Sequence, residues 1–294
     1  AVDALELQSD DIVVDCTLGG AGHAREIARK LGRGGFFVGF DLDSDAIDRA
    51  EAALAGEQCK VALIHANFRE MKSELEKRGI PRIDKALFDL GWSGYQLSAG
   101  RGFSFLADEP LAMNYGATKA GLNAATIVNE WSESSLADII FGWGGERYSR
   151  RIAKAIVERR ETKPFSTSRE LADVIREAVP PAYRRGKLHP ATKTFQALRI
   201  AVNDELGALK DGLAAAQEML APGGRIAVIA FHSLEDRLVK QTFLAWERAS
   251  SGIRVSKKPL KPSASEIQHN PRSRSATLRI FQSHDQSSEK NQQI

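Results

Sequence analysis

Four short apolar runs punctuate the first ninety positions, at residues 12–16, 36–40, 61–65 and 86–88. Each closes on a glycine or polar step: the first on a Gly-rich turn, the second on Asp41, the fourth on Asp89. Continuous rather than alternating apolar runs read as parallel strands covered on both faces. Helical spacing fills the intervals, as over 46–54, and the alternation predicts βαβ units. It stops near Gly94. From there to Arg199 the apolar positions recur at helical spacing, over 124–131, 135–141, 146–160 and 169–179, with Ser and Asn between them. It then resumes: a helix over 204–220 stopped by Pro222-Gly223-Gly224, a strand over 225–231 and a helix over 234–249. A closing strand pair follows, over 253–256 and 277–281, around a basic Pro/Ser-rich loop. The final ten residues are polar, and disorder is expected there. The fold class that follows is α/β. A Rossmann-like sheet domain is assembled from residues 1–106 and 201–294, and an all-helical domain, residues 107–200, is inserted between its fourth and fifth strands.

The chain has 294 residues, 43% hydrophobic and 27% charged, enough to bury a core without cross-links. Its longest apolar runs, such as 226–231, are too short to span a bilayer, so no membrane is expected. The chain opens without an initiator Met, and no basic segment leads into an apolar one, so no signal peptide is expected. Two cysteines, Cys16 and Cys59, supply neither a disulfide framework nor a zinc quartet. A reducing cytoplasm is the expected compartment.

Charge changes the picture more. The net +3 conceals four unequal segments. Residues 1–146 carry 14 Lys/Arg against 23 Asp/Glu, and residues 147–200 carry 14 against 5. Residues 201–253 carry 5 against 7, and residues 254–294 carry 8 against 3. Two basic blocks on a nearly neutral chain point to a polyanion, most simply nucleic acid; the competing account is solvated helix faces and a loose tail. Inside the insertion, Arg147, Arg151 and Lys154 fall at i, i+4 and i+7, on one helix face, with Ile152 and Ile156 on the other.

Candidate chemistry gathers at the strand ends. Asp15-Cys16-Thr17-Leu18-Gly19-Gly20-Ala21-Gly22-His23 follows the first strand and opens a helix, where glycines let a ligand approach the backbone at the carboxyl edge of a parallel sheet. A dinucleotide fingerprint would place a third glycine where Arg25 stands, which argues against a nicotinamide cofactor. Asp41 is placed to accept hydrogen bonds from ribose hydroxyls, with a strand-end cap as the other account. With the acidic end of strand one and with Asp89, it favours S-adenosylmethionine. Asp89-Leu90-Gly91-Trp92 has the spacing of the Asp/Asn-Pro-Pro-aromatic motif of methyltransferases that act on exocyclic amines, with both prolines replaced. The lone pair of such an amine is delocalised into the ring. A carboxylate and a main-chain carbonyl beside it can localise that lone pair toward a methyl donor, and the aromatic can stack on the base; core packing is the other account of Trp92. In-line methyl transfer depends on positioning and electrostatics and requires no metal. Neither cysteine follows a proline, so the covalent route to carbon-5 methylation is not expected.

Residues 15–23, the 88–96 stretch with Arg101-Gly102-Phe103-Ser104-Phe105, the block 189–205 that contains Thr194-Phe195-Gln196-Ala197-Leu198-Arg199, Phe231-His232-Ser233-Leu234-Glu235-Asp236-Arg237, and Asn270-Pro271-Arg272-Ser273-Arg274-Ser275-Ala276 together resemble the bacterial ribosomal RNA small subunit methyltransferase H family. The resemblance implies a class I methyltransferase domain with an inserted helical RNA-binding domain. It implies N4-methylation, with S-adenosylmethionine as donor, of a cytidine in the decoding region of 16S ribosomal RNA (cytidine 1402 in standard ribosomal numbering), on the small ribosomal subunit, by a monomer or homodimer. It places cofactor contacts at Gly20, Ala21, Gly22, His23, Asp41, Phe68, Asp89 and Gln96. Asp89 and Trp92 are the expected catalytic pair. Arg147, Arg151, Lys154, Lys193, Arg272 and Arg274 are the expected RNA contacts. His232 and Asp236 follow strand five, His232 as a substrate contact or a structural histidine. The chain departs from the family at Trp92-Ser93-Gly94-Tyr95, where a small aliphatic residue, two serines and a proline are usual, and at Met113-Asn114-Tyr115-Gly116, where a more charged stretch is usual. The alternatives are an amino-methyltransferase acting on another RNA or DNA site, and a non-catalytic RNA-binding assembly factor on the same fold.

Overall fold

The computed structural model describes all residues except Trp92, Ser93, Ser98, 117–120 and 286–294, and the side chain of Gln96 is likewise outside the described set. The expectations for Trp92 and for most of the final ten residues therefore lie outside the described residues. In chain order the elements are β1 (Ile12–Asp15), α1 (Gly22–Lys30), β2 (Phe36–Asp41), α2 (Ser44–Leu54), β3 (Lys60–His65), α3 (Met71–Glu76) and β4 (Ile83–Asp89). The helices α4 (Gly94–Leu97), α5 (Ala124–Glu130), α6 (Glu133–Gly142), α7 (Ser149–Thr162), α8 (Ser168–Ala178), α9 (Pro181–Arg184) and α10 (Thr192–Asn203) follow. The chain ends through α11 (Glu205–Met219), β5 (Leu220–Ala230), α12 (Ser233–Arg248), β6 (Gly252–Arg254), α13 (Ala264–His269) and β7 (Thr277–Ser283).

The seven strands form one sheet in the order β3-β2-β1-β4-β5-β7-β6. The first five are parallel, and β7 pairs antiparallel with both β5 and β6. This is the class I methyltransferase sheet. Its strands are apolar on both faces because helices cover both: Val14, Val38, Phe88 and Val228 enter one buried cluster, and their neighbours Val13, Phe37, Leu87 and Ala227 enter the other. The order reverses between β1 and β4, and in open α/β sheets the crevice at the carboxyl ends beside such a reversal receives ligands.

Two compact units result: Ala1–Gly91 with Leu206–Ile294, and Trp92–Glu205. The helical unit thus begins about fifteen residues earlier than position 107, and ends after position 200. The reason is packing. Phe103 and Phe105 join the helical core, Phe105 edge-on to Phe195 at 5.4 Å. At the other end Arg199 forms a two-pronged ion pair with Glu205 (2.7 and 3.0 Å). The helices start where the sequence supplies oxygens: Asn123, Ser132 and Thr167 cap α5, α6 and α8, the last as a complete capping box with Glu170.

Three further expectations need correction. Arg147 is not on the helix with Arg151 and Lys154, because α7 starts at Ser149 and Tyr148 is its N-cap. Pro222-Gly223-Gly224 does not stop α11, which has already ended at Met219; the triplet lies within β5, where pairing with β4 skips from Ile83↔Leu220 to Lys85↔Arg225. The loop between β6 and β7 holds α13 and a 3-10 turn, Pro271–Ser275, that Ser263 and Asn270 introduce.

Candidate active site at the carboxyl ends of β1, β2 and β4

Asp15 ends β1 completely buried. One carboxylate oxygen accepts the Thr17 N–H at 3.0 Å, while Oδ2 is buried with no hydrogen-bond partner among the described residues. Burial is the main cause that lifts its pKa from 3.8 to about 6. The turn after it is pinned at three points. Leu18 N–H donates to Phe40 O (3.1 Å), Gly19 N–H to Asp41 Oδ2 (2.9 Å), and Thr17 Oγ1 accepts the Asp89 N–H (2.8 Å). Gly39 makes room for the turn's leucine: a Cβ there would meet Leu18 Cδ2 at 2.4 Å, so a side chain on β2 at this point would force the buried Leu18 side chain to move.

Gly20 is exposed at the crest of the turn, and Ala21, buried, takes a left-handed conformation (φ +59°). Ala21 is the N-cap of α1 and has no side-chain oxygen to offer the first helical turn. At Gly22 a Cβ would meet nothing within 4 Å, so the space before the helix is open. The N-terminal end of α1 carries the positive end of the helix dipole and is suited to an anionic group.

His23, in that first turn, places Nδ1 3.2 Å from Asp89 Oδ2, and both side chains are about one-third exposed. The hydrogen bond that His23 donates to Asp89 raises the His23 pKa. The other Asp89 oxygen, Oδ1, is buried without a partner among the described residues. Asp41 accepts from Asp43 N–H as well as Gly19 N–H, and its pKa is raised, chiefly by burial. Asp15, Asp41 and Asp89 thus end three adjacent strands, with two unpartnered buried oxygens among them. Such a set favours a cation.

Phe68 starts a 3-10 turn after β3. Its half-buried ring meets Phe88 edge-on at 5.5 Å, and a Cβ on Gly212 of α11 would stand 2.5 Å from it. Gln96 lies in α4. His232 is the N-cap of α12, its Nδ1 accepting the Glu235 N–H (3.4 Å) in a capping box. Asp236 is engaged by Arg279 (2.8 and 3.0 Å) and Thr277. Asp236 is therefore accounted for by structure, whereas the Nε2 of His232 is buried with no hydrogen-bond partner among the described residues.

A profile of the MraW methylase family matches residues 1–284. The chain belongs to the MraW methylase family. The ribosomal RNA small subunit methyltransferase H of Brevibacillus brevis is 44% identical over 296 residues, covering 95% of this chain and 94% of the relative. That of Deinococcus radiodurans is 47% identical over 281 residues, covering 95% and 86%. An rRNA methylase structure from Streptococcus thermophilus superposes with a TM-score of 0.47 at 12% identity, over 97% of this chain and 94% of that one.

Of the cationic residues expected on the helical unit, Arg151 and Lys154 are exposed on α7, with Ile152 and Ile156 buried behind them. Lys193 donates to Gly145 O at 2.9 Å. Arg272 and Arg274 are exposed on the 3-10 turn of the sheet unit. Among the described residues no helix is long and apolar enough to cross a membrane. Sequence reasoning missed Thr17, whose hydroxyl partner lies 72 positions away, and Gly39 and Gly212, whose missing side chains shape the floor. Only Thr17 left a local sign, by standing inside the turn motif.

Proposed function

We propose that this chain transfers the methyl group of S-adenosylmethionine to the N4 amine of a cytidine in the decoding region of 16S ribosomal RNA. The observation that carries the reading is the trio of carboxylates Asp15, Asp41 and Asp89 at the ends of β1, β2 and β4, two of them with unpartnered buried oxygens, beside an uncapped helix start. The donor, when bound, supplies a methyl group activated on a sulfonium cation. Its amino group and sulfonium suit the carboxylates, and its carboxylate suits the start of α1 and the open backbone at Gly20, Ala21 and Gly22. Asp41 then faces the ribose hydroxyls, with Phe68 toward the adenine and Gln96 as a further contact. Membership of the family, and the names of its relatives, support ribosomal RNA as acceptor.

The chain's own part in the reaction is positioning and electrostatics. His23 holds Asp89 Oδ2, which leaves Oδ1 to accept an N–H of the target amine. That hydrogen bond directs the nitrogen lone pair toward the methyl donor. As the new C–N bond forms and the methyl–sulfur bond breaks, leaving a neutral thioether, the amine nitrogen becomes cationic and acidic, and Asp89 or the paired His23 is placed to take its proton. Trp92 is assigned to stacking on the base. Arg147, Arg151, Lys154, Lys193, Arg272 and Arg274 are assigned to the RNA.

The test is transfer of labelled methyl from S-adenosylmethionine to small ribosomal subunits and to naked DNA, followed by nucleoside analysis. N4-methylcytidine at one position of 16S RNA is the expected product. Label in DNA alone supports the alternative amino-methyltransferase. Failure to bind S-adenosylmethionine by calorimetry supports the non-catalytic assembly factor.

A further inference from the structure

Glu146 is completely buried in the helical unit, and both its oxygens serve tyrosines: Oε1 accepts the Tyr148 N–H at 2.9 Å, Oε2 the Tyr183 hydroxyl. A buried carboxylate is costly to keep, and here it ties the Tyr183 ring, through its hydroxyl, to the main chain of Tyr148, the two rings standing 5.1 Å apart at 76°. The Arg147 guanidinium lies over both, 4.8 Å from the Tyr148 centroid and 5.2 Å from that of Tyr183. Lys193 Nζ stands 4.0 Å from Glu146 Oε2; among the described residues no carboxylate comes within ion-pair distance of Arg147, which is exposed, and Arg185 and Lys187 are exposed beyond Tyr183. Burial and Glu146 push the Tyr183 phenol up to about 12, so it remains a neutral donor at working pH.

We infer that Arg147, Tyr148 and Tyr183 form a stacking platform for an unpaired nucleotide of RNA, with Glu146 as its positioning residue. Planar cationic and aromatic groups at a basic surface stack on splayed-out bases, whose faces a duplex conceals. The guanidinium supplies an outward face for the base and edge donors for the adjoining phosphate. The inference deepens the substrate reading above by assigning part of the recognition to single-stranded RNA, and is tested apart from it.

The test measures binding of the full chain to a mixed-sequence single-stranded RNA 12-mer and to a 12-base-pair RNA duplex at several salt concentrations. The wild type is expected to prefer the single strand. Tyr183→Leu should weaken single-strand binding by about 5- to 150-fold, as for loss of one stacked base, and leave duplex binding and the salt slope unchanged. Tyr183→Phe, which keeps the ring but breaks its tie to Glu146, and Glu146→Gln should each lose only part of the affinity. If Tyr183→Leu lowers the melting temperature, Arg147→Met, at an exposed site, must remove the preference instead. A wild type without the preference, or a folded Tyr183→Leu with wild-type single-strand affinity, overturns the platform. A wild type that prefers single-stranded RNA but methylates no small subunits overturns the substrate reading and leaves the platform standing.

Discussion

The sheet unit and the helical unit treat buried polar groups in opposite ways. In the helical unit they are matched. Arg160 donates to Val128 O and Trp131 O, Asn129 bonds the Phe165 main chain in both directions, and Asn203 ties Met113, Tyr115 and Arg199. Thr194 Oγ1 is the exception found there. In the sheet unit the unmatched atoms include, with the Nε2 of His232, carboxylate oxygens on Asp15 and Asp89, at the carboxyl ends of neighbouring strands. An unpartnered buried charge is among the more expensive things a fold can keep. One unit is therefore a satisfied scaffold that presents cations, and the other holds an electrostatic deficit where a cationic ligand would relieve it.

The largest expected effect falls on the chemistry. Asp89→Ala should lower single-turnover methyl transfer at saturating S-adenosylmethionine by about 10²- to 10⁴-fold, the range for losing a positioned acid–base group. RNA binding should be retained. A near-native rate under saturation would remove Asp89 from the chemistry and leave it as a donor contact.

Asp15 tests the deficit itself. Its folded pKa, about 6, lies above the ordinary 3.8, so the folded state holds this proton more tightly than the unfolded chain does. The sign follows: this group makes stability fall as pH rises from about 4 to 6, and its penalty is complete above that window. A shift of this size corresponds to roughly 3 kcal/mol. Asp15→Asn should therefore be more stable than wild type at pH 8 and lose that advantage at pH 4, measured by urea unfolding at both, while binding S-adenosylmethionine more weakly. An unchanged difference between the two proteins across pH would show that the carboxylate carries no such penalty.

How legible these features were depended on their range. The strands were legible because burial on both faces leaves continuous apolar runs, as at Val13 and Val14 or Leu87 and Phe88. The acids at strand ends were legible because parallel sheets put ligands there. The state of those acids was not, since an orphaned Asp15 oxygen or a Thr17–Asp89 bond exists only after distant segments meet. Arg147 shows the same limit from the other side. Periodicity put it on a helix with Arg151 and Lys154, but Tyr148 is the N-cap of that helix, and Arg147 turns to the rings of Tyr148 and of Tyr183, the latter 36 positions away from it in sequence.

Asp41→Ala comes next in size. If Asp41 pairs the ribose hydroxyls, its loss should cost about 1–3 kcal/mol, or roughly 5- to 150-fold in S-adenosylmethionine affinity. Because Asp41 also holds Gly19 N–H and Asp43 N–H, part of that loss would come from a loosened turn. Asp41→Asn, which keeps one acceptor oxygen, should fall between. Unchanged affinity in a folded Asp41→Ala would dismiss the assignment.

The smallest effect tests the other half of the comparison, that the helical unit contributes cations and leaves the donor site alone. Arg151 and Lys154 are exposed on α7, and among the described residues Lys154 has only an exposed i, i+4 contact with Glu158, at 3.7 Å. Such a pair contributes little to stability, so Arg151→Glu with Lys154→Glu should fold normally. Each phosphate contact releases counterions and steepens the dependence of log affinity on log salt by about 0.7 for single strands and 0.9 for duplex. The double variant should therefore show a slope shallower by up to roughly twice those amounts, with weaker binding of single-stranded and duplex RNA alike. That pattern separates it from Tyr183→Leu, which should spare the slope and the duplex. S-adenosylmethionine affinity should not change, because the donor contacts all belong to other segments. A variant with the wild-type slope would make this face of α7 merely solvated, and the grip on RNA would then have to come from the stacking residues and from Arg272 and Arg274 of the sheet unit.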